Sequence, residues 1–327
     1  MQKDLPNIEI GLVLSGGGAK GAYEVGVYKA LKELELVENI KVISGTSIGA
    51  INGLLFSMDD PKIVDVSWGS LNYSRFLIRQ EESRERKTGK LLEKIKSINI
   101  ETNILEQVRL YDIGLLSQRG IKEFIDEYAD VNLIKSSNKD LYATAYNIDE
   151  EKPEYFRLNE CNEEELKLKV LASCAIPHLF KPLSINGIRY ADGGIQSPLY
   201  SKINVDNVPL YPMKNYDLDI ILVVHLSYKN KINKEGFKNN IIEIYPSEPL
   251  EILSGIGALR IKKEVIERNI QLGYKDAIFL LAPLVIKLLK GKDLDEVLKS
   301  YNEKNFKEWY KWKMKSILNM DYSHLYL

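Results

Sequence analysis

Two glycine turns near the start of the chain constrain its fold more than any other feature. The first, Ser15-Gly16-Gly17-Gly18-Ala19-Lys20-Gly21, ends the apolar run Ile8–Leu14. It opens a segment in which Ala22, Val25, Tyr28, Ala30 and Leu31 recur at helical spacing. The second, Gly45-Thr46-Ser47-Ile48-Gly49, ends a short strand over Lys41–Ser44 and opens a helix over Ile48–Ser57. Strand, glycine turn and helix, repeated, is the rhythm of parallel strands joined by crossover helices. The reading is an α/β domain with a mainly parallel sheet.

Further strands are expected over Lys139–Asn147, Glu154–Leu158, Ile188–Ala191, Ile220–His225 and Ile241–Tyr245, and helices over Leu116–Tyr128, Glu163–Cys174 and from Leu250 to about Leu289. The charged stretch 59–115 reads as a helical insertion or lid. The layout predicted is a catalytic domain over 1–282 and a helical C-terminal extension over 283–327. In that extension Tyr301, Trp309, Tyr310 and Trp312 lie among Lys304, Lys307, Lys311, Lys313 and Lys315. Such a helix either caps the core or rests on an anionic bilayer.

Charge excludes one class of partner. With 45 basic and 46 acidic residues the net charge is −1, so no global field draws nucleic acid. Cys161 and Cys174 lack metal-ligand spacing and read as buried small side chains. The start of the chain lacks the pattern of a secretory signal, and no apolar run reaches the roughly 18 residues of a membrane span. A cytoplasmic protein with at most peripheral membrane contact is expected.

Gly45-Thr46-Ser47-Ile48-Gly49 fits G-x-S-x-G, in which a tight strand-to-helix turn pushes the serine hydroxyl out at the sheet edge. The bland alternative is a serine capping the following helix. The glycine loop also has two readings. Gly16, Gly18 and Gly21 spell G-x-G-x-x-G, with Glu38 placed like a ribose-binding acid, so a nucleotide-binding oxidoreductase is one candidate. Alternatively, bare amides at Gly16, Gly17 and Gly18 form an oxyanion hole, each such donor worth roughly 3 kcal/mol in the barrier. A dinucleotide site gives no reason for G-x-S-x-G at the end of the next strand, whereas acyl transfer needs both turns at one edge. Lys20 either supports the loop or is simply solvated.

Ser47 needs a base. Asp192-Gly193-Gly194 follows the strand Arg189-Tyr190-Ala191, and a carboxylate in a dry site can take the serine proton directly. The order Ser47, Asp192, His225 also permits a triad, and His178 lies in a turn nearby.

Taken in order, Leu12–Tyr23, Gly45–Ala50, Leu171–Pro177 with Leu179-Phe180, and Asp192-Gly193-Gly194 together resemble the patatin-like phospholipase family, from about Ile8 to Ala277. The resemblance implies a three-layer α/β/α fold, a Ser47–Asp192 dyad without metal or cofactor, and an oxyanion hole at Gly16, Gly17 and Gly18. Gly45, Gly49, Gly193 and Gly194 would support it, and fatty acyl esters of phospholipids or other lipids would be substrates. A non-catalytic membrane-surface protein on the same fold is the remaining alternative. The sequence departs from the family pattern at two places. Ile195–Val205 intervene before Asp206-Asn207-Val208-Pro209, and His178 stands where glycine is common.

Overall fold

The computed structural model describes residues 8–71, 116–177, 179–194, 206–227, 232–238, 240–250 and 263–299. His178, the 195–205 segment and the aromatic, basic stretch beyond 300 lie outside them. Within the described residues eight strands form one sheet: β1 (Ile10–Leu14), β2 (Ile40–Thr46), β3 (Asp140–Asn147), β4 (Lys152–Arg157), β5 (Leu183–Ile185), β6 (Ile188–Asp192), β7 (Ile220–Val224) and β8 (Asn240–Ile244). Their order is β5-β6-β3-β2-β1-β7-β8, with β4 also pairing β3. The five strands β3, β2, β1, β7 and β8 are parallel, and the β4, β5 and β6 pairings are antiparallel.

The helices are α1 (Ala22–Glu33), α2 (Ile48–Ser57), α3 (Pro61–Gly69), α4 (Arg119–Tyr128), α5 (Val131–Ser136), α6 (Glu163–Ser173) and α7 (Lys263–Leu289). Local chemistry sets their starts. The Asp60 side chain accepts from Lys62 N–H ahead of Pro61, and Asn162 with Glu165 closes a capping box on α6. One sheet face, carrying Ile10, Leu12, Leu14, Ile43, Leu141 and Leu222, packs into the main core with the α-helices. The other face, with Val13, Val42, Ile221 and Val223, is covered by Val208, Leu210, Met213 and Leu218 around a 3-10 helix over Tyr211–Asn215. Covering both faces explains why β1 and β7 are unbroken apolar runs, every residue of which is buried. The architecture is the expected three-layer α/β/α one, with a thin third layer.

At the start of the 59–115 stretch, α3 buries Val64 and Trp68 in the core, while 72–115 lies outside the described residues. A boundary at 282/283 would cut α7, which continues through Pro283 to Leu289. No helix among the described residues is long and apolar enough to cross a membrane.

Candidate active site

The parallel strands β2 and β1 end at the same sheet edge, and both glycine turns lie there. Ser47 follows β2 directly, at φ 57° and ψ −120°. This is the positive-φ region, sparsely populated by residues with a side chain, and such strain clusters at functional turns. The glycines on either side make the turn possible. A Cβ on Gly45 would collide with the Gly49 carbonyl, and one on Gly49 would stand 2.5 Å from the Leu14 carbonyl oxygen. The elbow therefore folds back on its own strand, and α2 sits on the end of β1.

The glycine loop lies against the elbow. A Cβ on Gly16 would be 3.4 Å from the Ser47 Cβ. Gly16 N–H donates to the Asn207 carbonyl at 3.0 Å, and Asn207 Nδ2 returns a bond to the Gly16 carbonyl at 3.1 Å. The Gly16 amide is thus engaged, which leaves Gly17 and Gly18 as candidates from the expected three-amide cradle. Among the described residues no protein acceptor takes the N–H of Gly17 or Gly18. Gly18, at φ 58°, lines the cleft that also holds Ser47. Lys20 is partly exposed, and its backbone N–H donates to the Gly17 carbonyl at 3.3 Å.

Asp192 ends β6 and is 1% exposed. Its N–H donates to the Ala175 carbonyl and its Oδ1 accepts from Gly194 N–H, both at 2.9 Å. Register brings it toward Ser47 across a single strand: Thr46 of β2 faces Thr144 of β3, and Asp192 faces Ala145 of β3. Gly193 packs on β3, where a Cβ would meet the Thr144 carbonyl at 2.6 Å, and Gly194 packs against the Asn207 side chain. Cys174 feels both Asp192 and Ser47. Burial and then the negative charge of Asp192 push its thiol up, while a hydrogen bond with Ser47 pulls the other way.

Sequence reasoning missed the role of the α6 end. Ser173 Oγ accepts the Ser47 N–H at 2.8 Å and donates to the Thr144 carbonyl at 2.6 Å. Ser173 therefore holds the Ser47 turn, and Ala175 two residues on holds the Asp192 backbone. Asn207 was likewise visible only as a turn residue, yet it locks the glycine loop. Its neighbour Asp206 binds the elbow strand through Thr46 Oγ1, which donates to its carbonyl at 2.8 Å.

The Asp206 carboxyl is pushed up to about 6 by burial, against hydrogen bonds from Tyr155 and Val208 that lower it. Because the folded form then holds its proton more tightly than the unfolded form, its contribution to stability is full below about pH 4. It fades as the pH rises through about 6, by up to about 3 kcal/mol. Asp206→Asn should remove that share of the decline between pH 4.5 and 7.5. Urea unfolding at the two pH values checks this; an unchanged decline contradicts it.

His225 does not join this group as a triad member would. Its Nε2 lies 2.9 Å from Glu243 Oε2, and its ring stacks on Tyr245 at 4.0 Å. Burial raises the Glu243 carboxyl, but hydrogen bonds from His225, Lys234 and Tyr245 outweigh this and hold it at about 2. The imidazole is thus committed to the β8 side, with β1 between its strand and β2.

The dinucleotide reading loses its geometry as well. Glu38 precedes β2 and so sits at the opposite sheet edge from the glycine loop. Gly21 is small because Ile48 and Asn52 of α2 press on it.

Ser47 opens into an apolar cleft. Ile48, Ile51, Trp68, Ile121, Phe124 and Phe180 supply most of its wall. A hydroxyl, unengaged amides and an apolar cleft together suit an ester with a long hydrocarbon part.

Comparison with known proteins shows the family of the chain. The profile described as Patatin-like phospholipase matches residues 12–209. Lysophospholipase nte1 of Aspergillus terreus is 26% identical over 232 residues, covering 71% of this chain but 13% of that much longer protein. Lysophospholipase nte1 of Aspergillus niger is 54% identical over 50 residues, covering 15% of this chain and 3% of that one. Among solved structures, VipD from Legionella pneumophila matches 98% of this chain and 78% of its own, with a TM-score of 0.51 at 17% identity, a likeness of fold. With the family profile spanning more than half of its length, this chain belongs to the patatin-like phospholipase family.

Proposed function

We propose that this chain is a lipid acyl hydrolase of phospholipase A or lysophospholipase type, with Ser47 as nucleophile and Asp192 as base. The observation that carries the reading is the strained Ser47 turn, facing an apolar cleft and lying one strand from a buried aspartate. The names of the relatives point to the same substrate class, although this chain spans only a small part of their length.

In this mechanism Asp192 takes the Ser47 proton as Oγ bonds to the ester carbonyl carbon. The amides of Gly17 and Gly18 carry the charge that develops on the carbonyl oxygen. The carbon–oxygen bond to the leaving alcohol breaks, and Asp192 returns the proton to it. Water then attacks the acyl-enzyme, giving its proton to Asp192. The fatty acid leaves and Ser47 recovers its hydrogen. The steps use no metal or cofactor.

A fluorophosphonate probe tests this. Labelling of the wild-type chain that vanishes in Ser47→Ala is the expected result. No labelling, or labelling that survives Ser47→Ala, overturns the reading; lipid binding without labelling would favour a non-catalytic protein.

A further inference from the structure

Behind the cleft lies a buried polar group that the mechanism does not use. Glu24 is 0% exposed, and so is Asn52. Asn52 Nδ2 donates to Glu24 Oε2 at 2.7 Å and to the Gly21 carbonyl at 3.0 Å. Its Oδ1 accepts from Trp68 Nε1 at 3.0 Å. This orientation of the amide uses both of its donors and its acceptor, and the reversed one would set donor against donor at Trp68. Burial holds the Glu24 carboxyl well above the ordinary carboxylate range, only partly offset by the bonds from Asn52 and Ser15. The Asn52–Glu24 pair is a fully buried anchor.

Trp68, itself 3% exposed, is the part of this network that reaches the cleft. Resting on the acyl-hydrolase reading above, we propose that Trp68 is the stop that sets how long an acyl chain the cleft accepts, its indole fixed through Asn52 to Glu24.

Position supports this. Ile48 and Ile51 carry the cleft wall along α2 from Ser47. The Asn52 anchor sits beside Ile51, about 7.5 Å further along the helix axis than Ser47. Mobility supports it too. Isoleucine, leucine and phenylalanine walls can change rotamer to let a chain pass. The indole cannot swing without leaving its N–H and the Asn52 Oδ1 buried and unsatisfied.

The test is a series of p-nitrophenyl esters from four to sixteen carbons, measured as kcat/KM on the full chain. The readout is the ratio between esters within each variant, so a general loss of activity cancels. The wild type should gain up to about fourfold per buried methylene, then fall once the chain meets the indole. Trp68→Ala should move the peak to chains at least about two carbons longer. Trp68→Phe, with a smaller ring and no N–H, should move it in the same direction by less, and it decides the matter if the alanine variant does not fold. A peak at the same length in wild type and folded variants overturns the proposal. Failure of the wild type to cleave any ester, with no labelling of Ser47, would instead overturn the functional reading beneath it.

Discussion

Asp192→Asn should lower kcat on an acyl ester by about three to four orders of magnitude while the fold survives. A general base is worth roughly 10²–10⁴ in rate, and the described site supplies Ser47 with no second base. His225 is held by Glu243 and Tyr245 on the far side of β1. The fold should survive because Asn keeps an oxygen at the position that accepts Gly194 N–H, and the backbone bond to Ala175 does not involve the side chain. Circular dichroism and thermal melting check the fold; steady-state kinetics check the rate. Loss of less than tenfold, with the fold intact, would remove Asp192 from the chemistry.

Gly45→Ala should lower turnover by about a hundredfold and also reduce stability. The new methyl group would strike the Gly49 carbonyl, which is backbone and cannot rotate away. Relief requires the elbow to open, which carries Ser47 from the Gly17 and Gly18 amides and from Ser173. Displacement of a reacting group by about 1 Å can cost 10² in rate, and overpacking typically costs 1–3 kcal/mol. Melting temperature and kcat/KM should fall together. Full activity in this variant would mean that the turn geometry does not matter.

The parts of the molecule that were legible in the sequence are those whose signal is local. Ile8–Leu14 and Ile220–His225 announced buried strands because a doubly covered sheet demands continuous apolar runs. Helix α2 begins and ends as its pattern suggests, at Ile48 and Ser57. The three-residue strand β5 escaped, although Asn186-Gly187 between it and β6 is a strong hairpin signal. Both residues take positive φ there, at 51° and 83°. Helix α5 is a short turn capped by the Asp130 side chain, too brief for periodicity to reveal.

The candidate site divides the same way. Its three motifs could be read by spacing. Ser173 and Asn207 could not, because their partners Ser47 and Gly16 are 126 and 191 positions away and meet only once the sheet has formed. The engagement of the Gly16 amide follows from that second contact, which is why three candidate donors became two.

The proposed chemistry stands on a covalent intermediate at Ser47. Rapid mixing of the enzyme with excess p-nitrophenyl ester measures it directly. The expected result is a burst of p-nitrophenol approaching one equivalent per chain, followed by slower turnover, with burst and turnover both absent in Ser47→Ala. Turnover that persists in a folded Ser47→Ala variant would contradict it.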